Sequence, residues 1–392
     1  MLVVWPALPL IVVSIDDNST GNLDNIVAAL KCSNRVRQIN IKIARRLDLD
    51  IFLAAMKQPY PELTKLLLWP GHKIEETLAV VPDSFLGGSA PRLEWVQLEN
   101  IPFPGLPKLL LSAPRLVTLF LNNTPHSGYF SPDAMVAALS VLSGLESLWL
   151  EFESPRSCPD PASRLPPPST PSVLPVLKSF LFKGVSEYLD DLVACIDAPQ
   201  LDTFQVTLFN DIVFDTPQLV RFISRTSMSK AIETAYMSFY DDAARVDFSS
   251  QPSRYREFAV IILCKGLDWQ VSSLEQVCIS CLPPLSILED LRIYEGSRWY
   301  TDWKVSIENG QWLELFRPFI AVKNLYLSEN FASRIAPALQ ELVEGGTPDV
   351  LPALQNIFLK GLESSGSVEE GIGKLVTARQ VANHPIGISP WT

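Results

Sequence analysis

Three histidines, one Cys-x-x-Cys and a few paired carboxylates are the groups in this 392-residue sequence best equipped for chemistry. His72, His126 and His384 each adjoin a proline or glycine, and none stands at ligand spacing to a second His or Cys. A zinc site built from such ligands is therefore not expected. Cys278-Ile-Ser-Cys281 lies within an apolar helical stripe, without the strand-and-helix setting that makes a Cys-x-x-Cys redox-active. Gly87-Gly88 and Gly345-Gly346 read as turns, because no phosphate-loop pattern surrounds them. Asp190-Asp191 and Glu369-Glu370 fit solvated helix faces and are not spaced around a common substrate. These readings predict no catalytic residue, no metal and no cofactor, and favour a binding protein over an enzyme.

The bulk properties narrow the partner. The formal net charge is −11, with Lys and Arg scattered along the chain, so a phosphate backbone would be repelled and no nucleic acid is expected. Hydrophobic residues make up 47% of the chain and charged residues 19%, which excludes a largely disordered polymer. Of six cysteines, Cys32, Cys195, Cys264, Cys278 and Cys281 sit in apolar stretches, and Cys158 sits in a proline-rich one. This is not a disulfide framework, and a reducing compartment, cytoplasmic or nuclear, is the expectation. The longest apolar run, Leu2–Val13, is broken by Pro6 and Pro9 and is too short to cross a bilayer. It is read as a buried strand, and no membrane association is expected.

The elements that must position any binding surface come from a repeat. The pattern L-x-x-L-x-L, with other apolar residues allowed, recurs twelve times. Clear copies are Leu63-Leu66-Leu68, Leu93-Val96-Leu98, Leu116-Leu119-Leu121 and Leu145-Leu148-Leu150, then Leu177-Phe180-Phe182 and Leu201-Phe204-Val206. The C-terminal third adds Leu288-Leu291-Ile293, Val322-Leu325-Leu327 and Leu354-Ile357-Leu359. Weaker copies are Val36-Ile39-Ile41, Ile232-Ala235-Met237 and Phe258-Ile261-Leu263. First positions recur every 23 to 34 residues, close to the period of leucine-rich repeats. In L-x-L the two apolar residues point to one side of a strand and the residue between them to the other. One repeat cannot bury its apolar side alone, but a stack shares a continuous interior.

Between the strand strings lie segments with helical spacing: 23–31, 50–57, 131–142, 186–196, 216–225, 311–320, 332–343 and 368–379. Ser131-Pro132 and Thr216-Pro217 place a capping hydroxyl before a proline at the first helical position. One further match, Leu274–Ile279, falls out of phase and is read as helix, with Ser272 as its N-cap. The expected fold is α/β: a single leucine-rich-repeat solenoid over 1–392, a horseshoe with parallel strands on the concave face and helices on the convex face. Residues 154–175 contain eight prolines and read as a flexible loop insertion. The stretch 241–256 has clustered charge and no clear period, and 382–392 reads as a tail that caps the last repeat or stays loose.

In such a fold the middle residue of each L-x-L faces the concave side. These residues are Asn40, Leu67, Gln97, Phe120, Trp149, Leu181, Gln205, Tyr236, Ile262, Arg292, Tyr326 and Phe358. Five are aromatic and three aliphatic on a face expected to meet water, the composition of an interaction site. The alternative is a ladder in which the same side chains stack between neighbouring strands. Flanking outward positions such as Lys65, Thr118, Glu151 and Lys360 are polar, which suits a wet rim.

WPALPLIV at 5–12, PDSFLGGSAPRL at 82–93 and PFPGLPKLLLSAPRL at 102–116 carry a family resemblance, continued by VFDTPQLVRFISRT at 213–226 and VKNLYLSENFA at 322–332. With these strings the chain resembles the leucine-rich-repeat region of F-box-type proteins of mushroom-forming fungi. The resemblance implies a substrate-recognition module of a cullin-based ubiquitin ligase, in which a preceding F-box docks the ligase adaptor. Only four residues precede Trp5, so no F-box fits there, and an adaptor is expected as a partner only if such a module lies upstream. The open alternatives are a scaffold unrelated to ubiquitin and an enzyme of an unrecognised kind.

Overall fold

The computed structural model describes residues 8–14, 23–71, 78–157, 170–209, 216–230, 232–249, 258–280, 285–296, 307–344, 350–360, 366–381 and 384–391. The chain divides into two compact units, Met1–Asp202 with Arg225–Ser227, and Thr203–Ser224 with Met228–Thr392. His72, Cys158, Cys281, Gly345-Gly346 and residues 158–169 of the proline-rich stretch lie outside the described residues.

The first unit is the repeat in regular form. Its strands are β1 (Leu10–Ser14), β2 (Val36–Ile43), β3 (Lys65–Pro70), β4 (Trp95–Glu99), β5 (Thr118–Thr124) and β6 (Ser147–Phe152), then the short β7 (Ser172–Val173), β8 (Ser179–Gly184) and the short β9 (Ile196–Asp197). β1 to β6 and then β8 pair in sequence order, every pair parallel, and β7 pairs with β9 alone. The helices are α1 (Leu23–Leu30), α2 (Arg46–Ala55), α3 (Leu106–Leu110), α4 (Pro132–Leu139) and α5 (Ser186–Ala194).

The register explains why the spacing is so strict. Ile39, Leu66, Val96, Leu119, Leu148 and Phe180 are cross-strand partners in one row, and Ile41, Leu68, Leu98, Leu121, Leu150 and Phe182 sit two residues further on. All twelve are buried, as are the leading Val36, Leu63, Leu93, Leu116, Leu145 and Leu177. Each triplet therefore fills the same three sites against its neighbours, and a missing aliphatic side chain would open a cavity common to adjacent repeats. Local signals hold the helices in place: at α4 the Ser131 hydroxyl accepts from the Ala134 N–H at 3.3 Å, with Pro132 at the first helical position. The tight turn between β3 and β4 needs Gly87, whose φ is +63° and where a Cβ would sit 2.5 Å from the Pro59 nitrogen.

β1 departs from the expected buried strand. Val12 faces the core, but Ile11 and Val13, at the outward positions opposite Gln38 and Asn40, are 63% and 51% exposed, and among the described residues β1 pairs with β2 alone.

The second unit holds β10 (Thr203–Phe209), β11 (Thr234–Phe239), β12 (Ala244–Ser249), β13 (Phe258–Leu263), β14 (Asp290–Glu295), β15 (Asn324–Leu327), β16 (Asn356–Lys360) and β17 (Gly387–Trp391). Its helices are α6 (Pro217–Arg225), α7 (Leu267–Ser280), α8 (Asn309–Phe316), α9 (Glu329–Glu344) and α10 (Gly366–Val381). The strand order here is β10-β13-β12-β11-β14-β15-β16-β17. β12 runs antiparallel between β11 and β13, while the remaining pairs are parallel. The stretch read from sequence as aperiodic thus contains a strand, and the two weak copies at Ile232 and Phe258 are not successive repeats. Gln270, buried on α7, ties this insertion down by donating to the carbonyls of Tyr240 at 2.8 Å and Cys264 at 3.1 Å.

Two boundaries also move. α7 starts at Leu267, directly after Gly266 with φ +86°, so Ser272 lies inside the helix and does not cap it. Part of the C-terminal tail forms β17, paired parallel with β16. The result is an α/β leucine-rich-repeat fold in which parallel strands share one buried face with the helices, interrupted once by an antiparallel hairpin. Among the described residues no helix is long and apolar enough to cross a membrane.

Candidate functional site

Among the described residues, the groups singled out for chemistry are not brought together. His126 and His384 are exposed in separate segments, and the described residues contain no cluster of His, Cys, Asp and Glu able to hold a metal. Burial pushes the Cys264 thiol up to about 11, so it is not available as a thiolate at neutral pH.

What the fold does assemble is a face. In the first unit Asn40, Leu67, Gln97, Phe120, Trp149 and Leu181 are direct cross-strand partners in one continuous row on the side away from the leucine core. Leu67 is buried within the row and the other five are half-buried. The rings touch edge to face: Trp95 to Phe120 at 5.4 Å and Phe120 to Trp149 at 5.3 Å between centroids. This arrangement suits the ring quadrupoles and favours a fixed orientation. The Trp149 indole N–H donates to Glu151 at 2.6 Å, and the Lys65 ammonium lies 5.0 Å from the Trp95 ring centre. Trp95 was not among the expected residues. It occupies the outward position two residues before Gln97, so strand alternation could have found it.

Within the second unit a row of its own runs by register through Gln205, Ala259, Asp247, Tyr236, Arg292, Tyr326, Phe358 and Ser389. Ile262 is not in it. Its side chain is fully buried, because β13 alternates from Phe258, placing Phe258, Val260 and Ile262 inward and Ala259, Ile261 and Leu263 outward. In the regular repeat the first apolar residue precedes the strand. Here Phe258 already belongs to it, stacked between Phe204 at 5.5 Å and Phe248 at 5.6 Å, and the parity is shifted by one.

Two outward residues unforeseen from sequence define this half. Asp247 on β12 is fully buried and takes a bidentate contact from the Arg245 Nε at 2.7 and 2.9 Å. Trp391 on β17 closes an aromatic cage. The Arg292 guanidinium carbon lies 4.4 Å from the Tyr326 ring centre, 5.4 Å from Tyr236 and 5.9 Å from Trp391. Tyr326 also stacks on Phe358 at 4.4 Å with planes 10° apart. Burial, with the nearby Asp290 carboxylate, raises the Tyr326 phenol above its usual range, and Arg292 opposes the shift. One row over, Asn324 donates to Asp290 at 2.7 Å and Asn356 donates to Asn324 at 2.8 Å, an amide ladder that bonds successive strands. Beside the cage, within the second unit, a pocket of about 630 Å³ opens.

Thus the side chains form a ladder and remain a surface at once. Phe120 lies against both Trp95 and Trp149, and Tyr326 against both Phe358 and Arg292, yet all of them stay half-buried and not fully covered.

No family model and no curated protein sequence matches the chain. Among solved structures it is similar to the leucine-rich repeat-containing protein LegL7 from Legionella pneumophila, at 11% identity over 94% of this chain and 97% of that one, with a TM-score of 0.30. It is also similar to TLR13 in its complex with ssRNA13, at 11% identity over 92% of this chain, with a TM-score of 0.31. The match covers 49% of the TLR13 chain. The repeat fold itself is established by the strand order and register described above.

Proposed function

We propose that this chain is a protein-binding scaffold that engages its partner through the open face of its parallel strands. The observations that carry this reading are two register-fixed rows, Phe120 and Trp149 in the first unit and Tyr236, Arg292, Tyr326 and Phe358 in the second. Tyr, Trp and Arg are the side chains that most often dominate binding energy, and neighbour contacts hold these rings in place before any partner arrives, which lowers the entropic cost of association. The next outward position along the strands is polar, Glu99, Glu151 and Lys183 in the first unit and Lys360 in the second, which suits the rim of a protein interface.

The test is capture of a partner, found by proximity labelling, by the wild-type chain and by the Trp149→Ala, Tyr326→Ala double variant. Capture is expected to weaken at least about tenfold while the fold is retained. Unchanged capture with a large fall in melting temperature would instead assign the stripe to stability alone.

A finer reading makes the partner a substrate of a cullin-based ubiquitin ligase. The strings at 5–12, 82–93 and 102–116, which resemble the repeat region of F-box-type proteins, support it. It requires an F-box module encoded upstream. Recovery of a cullin adaptor with a product carrying that module, and its loss when the module is deleted, would support this role. Partner binding without any adaptor would leave a free-standing scaffold.

A further inference from the structure

The pocket in the second unit contains buried polar groups with no hydrogen-bond partner among the described residues. Its wall includes Tyr236, Arg292, Glu295, Ser328, Lys360 and Trp391. The Arg292 Nε is buried without an acceptor, and among the described residues its guanidinium meets no carboxylate, only the rings of Tyr236, Tyr326 and Trp391. The Ser328 hydroxyl is also buried without a partner, on a side chain only 5% exposed. Lys360 lies 5.4 Å from the Trp391 ring centre and likewise has no carboxylate partner among the described residues. Ser328 immediately precedes α9, so the first-turn N–H groups at Glu329 and Asn330 border the same space. A helix N-terminus favours an anion there, and an unpaired buried donor is costly unless a ligand supplies the acceptor. Three kinds of donor therefore line one pocket, where an anionic oxygen group would satisfy them.

The pocket also holds the opposite need. One carboxylate oxygen of Glu295 is buried with no donor, and Glu329 stands at the mouth. A bare inorganic anion would answer the cations and leave Glu295 unsatisfied. An Asp or Glu residue within a peptide answers both, with its side-chain carboxylate for Arg292 and Lys360 and a backbone N–H for Glu295. Its methylene stem would pack on the aromatic walls, and the pocket volume of about 630 Å³ is in the range that takes a ligand of several residues.

The geometry points to this pocket as the specificity site of the open face, taking an acidic segment of the partner protein. This rests on the scaffold reading above and adds to it the chemistry of the bound segment. The protein's net charge of −11 makes the choice selective, because acidic chains are repelled everywhere except where unpaired cations are held out to them.

The experiment is a phage-displayed library of random seven-residue peptides, panned on the full chain and counter-selected on Arg292→Gln. Enriched peptides are expected to carry Asp or Glu. A synthetic enriched peptide, capped at both ends so that only side chains bear charge, should bind the wild type in fluorescence anisotropy. It should lose about tenfold or more to Arg292→Gln, and a measurable amount to Lys360→Gln, where an exposed side chain is changed and folding is not in question. Arg292→Lys should recover part of the loss, and the Glu→Gln version of the peptide should bind as weakly as the variants do. Neutral or basic consensus peptides, no enrichment at all, or equal binding of Glu and Gln peptides would each overturn the proposal. So would full competition by millimolar inorganic phosphate with no preference among peptides, which would mark a simple anion site. If the native partner is lost on Trp149→Ala, Tyr326→Ala but held by Arg292→Gln, the scaffold reading stands and the acidic-segment inference falls. Acidic-peptide binding that needs Arg292, beside native capture indifferent to Trp149 and Tyr326, would reject the open-face reading while supporting the pocket.

Discussion

The two units place the same kind of residue inward and very different residues outward. In the first, strands β1 to β6 and β8 follow sequence order, and the outward row is Asn, Leu, Gln, Phe, Trp and Leu. In the second, an antiparallel hairpin reorders the strands, and the outward row carries Asp247 and Arg292 among tyrosines. The inward face tolerates the change because parity, not direction, decides burial. An antiparallel strand still alternates with period two, so Ala244, Val246 and Phe248 join the core as any parallel strand would. The outward face has no such requirement and is free to differ. The leucine pattern therefore defines the scaffold, and the residues between leucines define what each half can hold.

The sharpest way to break this comparison is to invert parity at the hairpin. Ile262→Lys places an ammonium at a fully buried position and is expected to cost more than about 4 kcal/mol. Ile261→Lys, one residue earlier on the half-buried outward side, should leave thermal unfolding nearly unchanged. Equal losses for the two would mean that β13 does not hold the register drawn here. The buried ion pair comes next. Arg245→Ala takes the guanidinium away from the buried Asp247 carboxylate and is expected to lose about 3–5 kcal/mol in urea unfolding, whereas replacing both by apolar residues should recover most of that loss. The first unit's outward row has no such dependence, since truncating Trp149 removes ring contacts worth about 0.5–1.5 kcal/mol each beyond simple burial.

How much of this was legible follows from the same physics. The leading and inward apolar positions could be read directly, because a 23- to 34-residue period combined with the L-x-L triplet leaves one way to stack. The outward positions followed wherever the triplet phase held, from Asn40 to Tyr236 and again from Arg292 to Phe358. The pattern failed at Ile262 because Phe258–Leu263 is apolar throughout, and a strand apolar at every position carries no parity signal. β12 was visible in principle: Ala244-Arg245-Val246-Asp247-Phe248-Ser249 alternates perfectly, but its charges resemble a solvated loop until Arg245 and Asp247 are seen to pair. Trp391 was obscured by Pro390, which is tolerated because β17 is an edge strand. The pocket could not have been read at all. It depends on which donors remain unpaired after folding, a property of the assembled cage and of no local pattern.

The smallest expected effect tests whether the residues just before the strands behave alike in the two units. On the residues just before the strands, a cation in one repeat meets a glutamate in the repeat before it. Arg92 pairs with Glu62, Arg115 with Glu94 at 3.7 Å and Lys178 with Glu146 at 3.0 Å, and in the second unit Lys323 pairs with Glu289 at 2.5 Å. The repetition suggests a structural device, but these side chains are about half exposed, where water and salt screen the attraction. Lys178→Ala and Lys323→Ala are each expected to cost no more than about 1 kcal/mol. That difference should vanish in molar salt, where the screening length falls to about 3 Å. A loss above about 2 kcal/mol that survives high salt, in either unit, would show that the edge pairs are held in a drier setting than their exposure indicates. A loss in one unit alone would extend the asymmetry of the outward face to the edge, where the repeat spacing predicts equivalence.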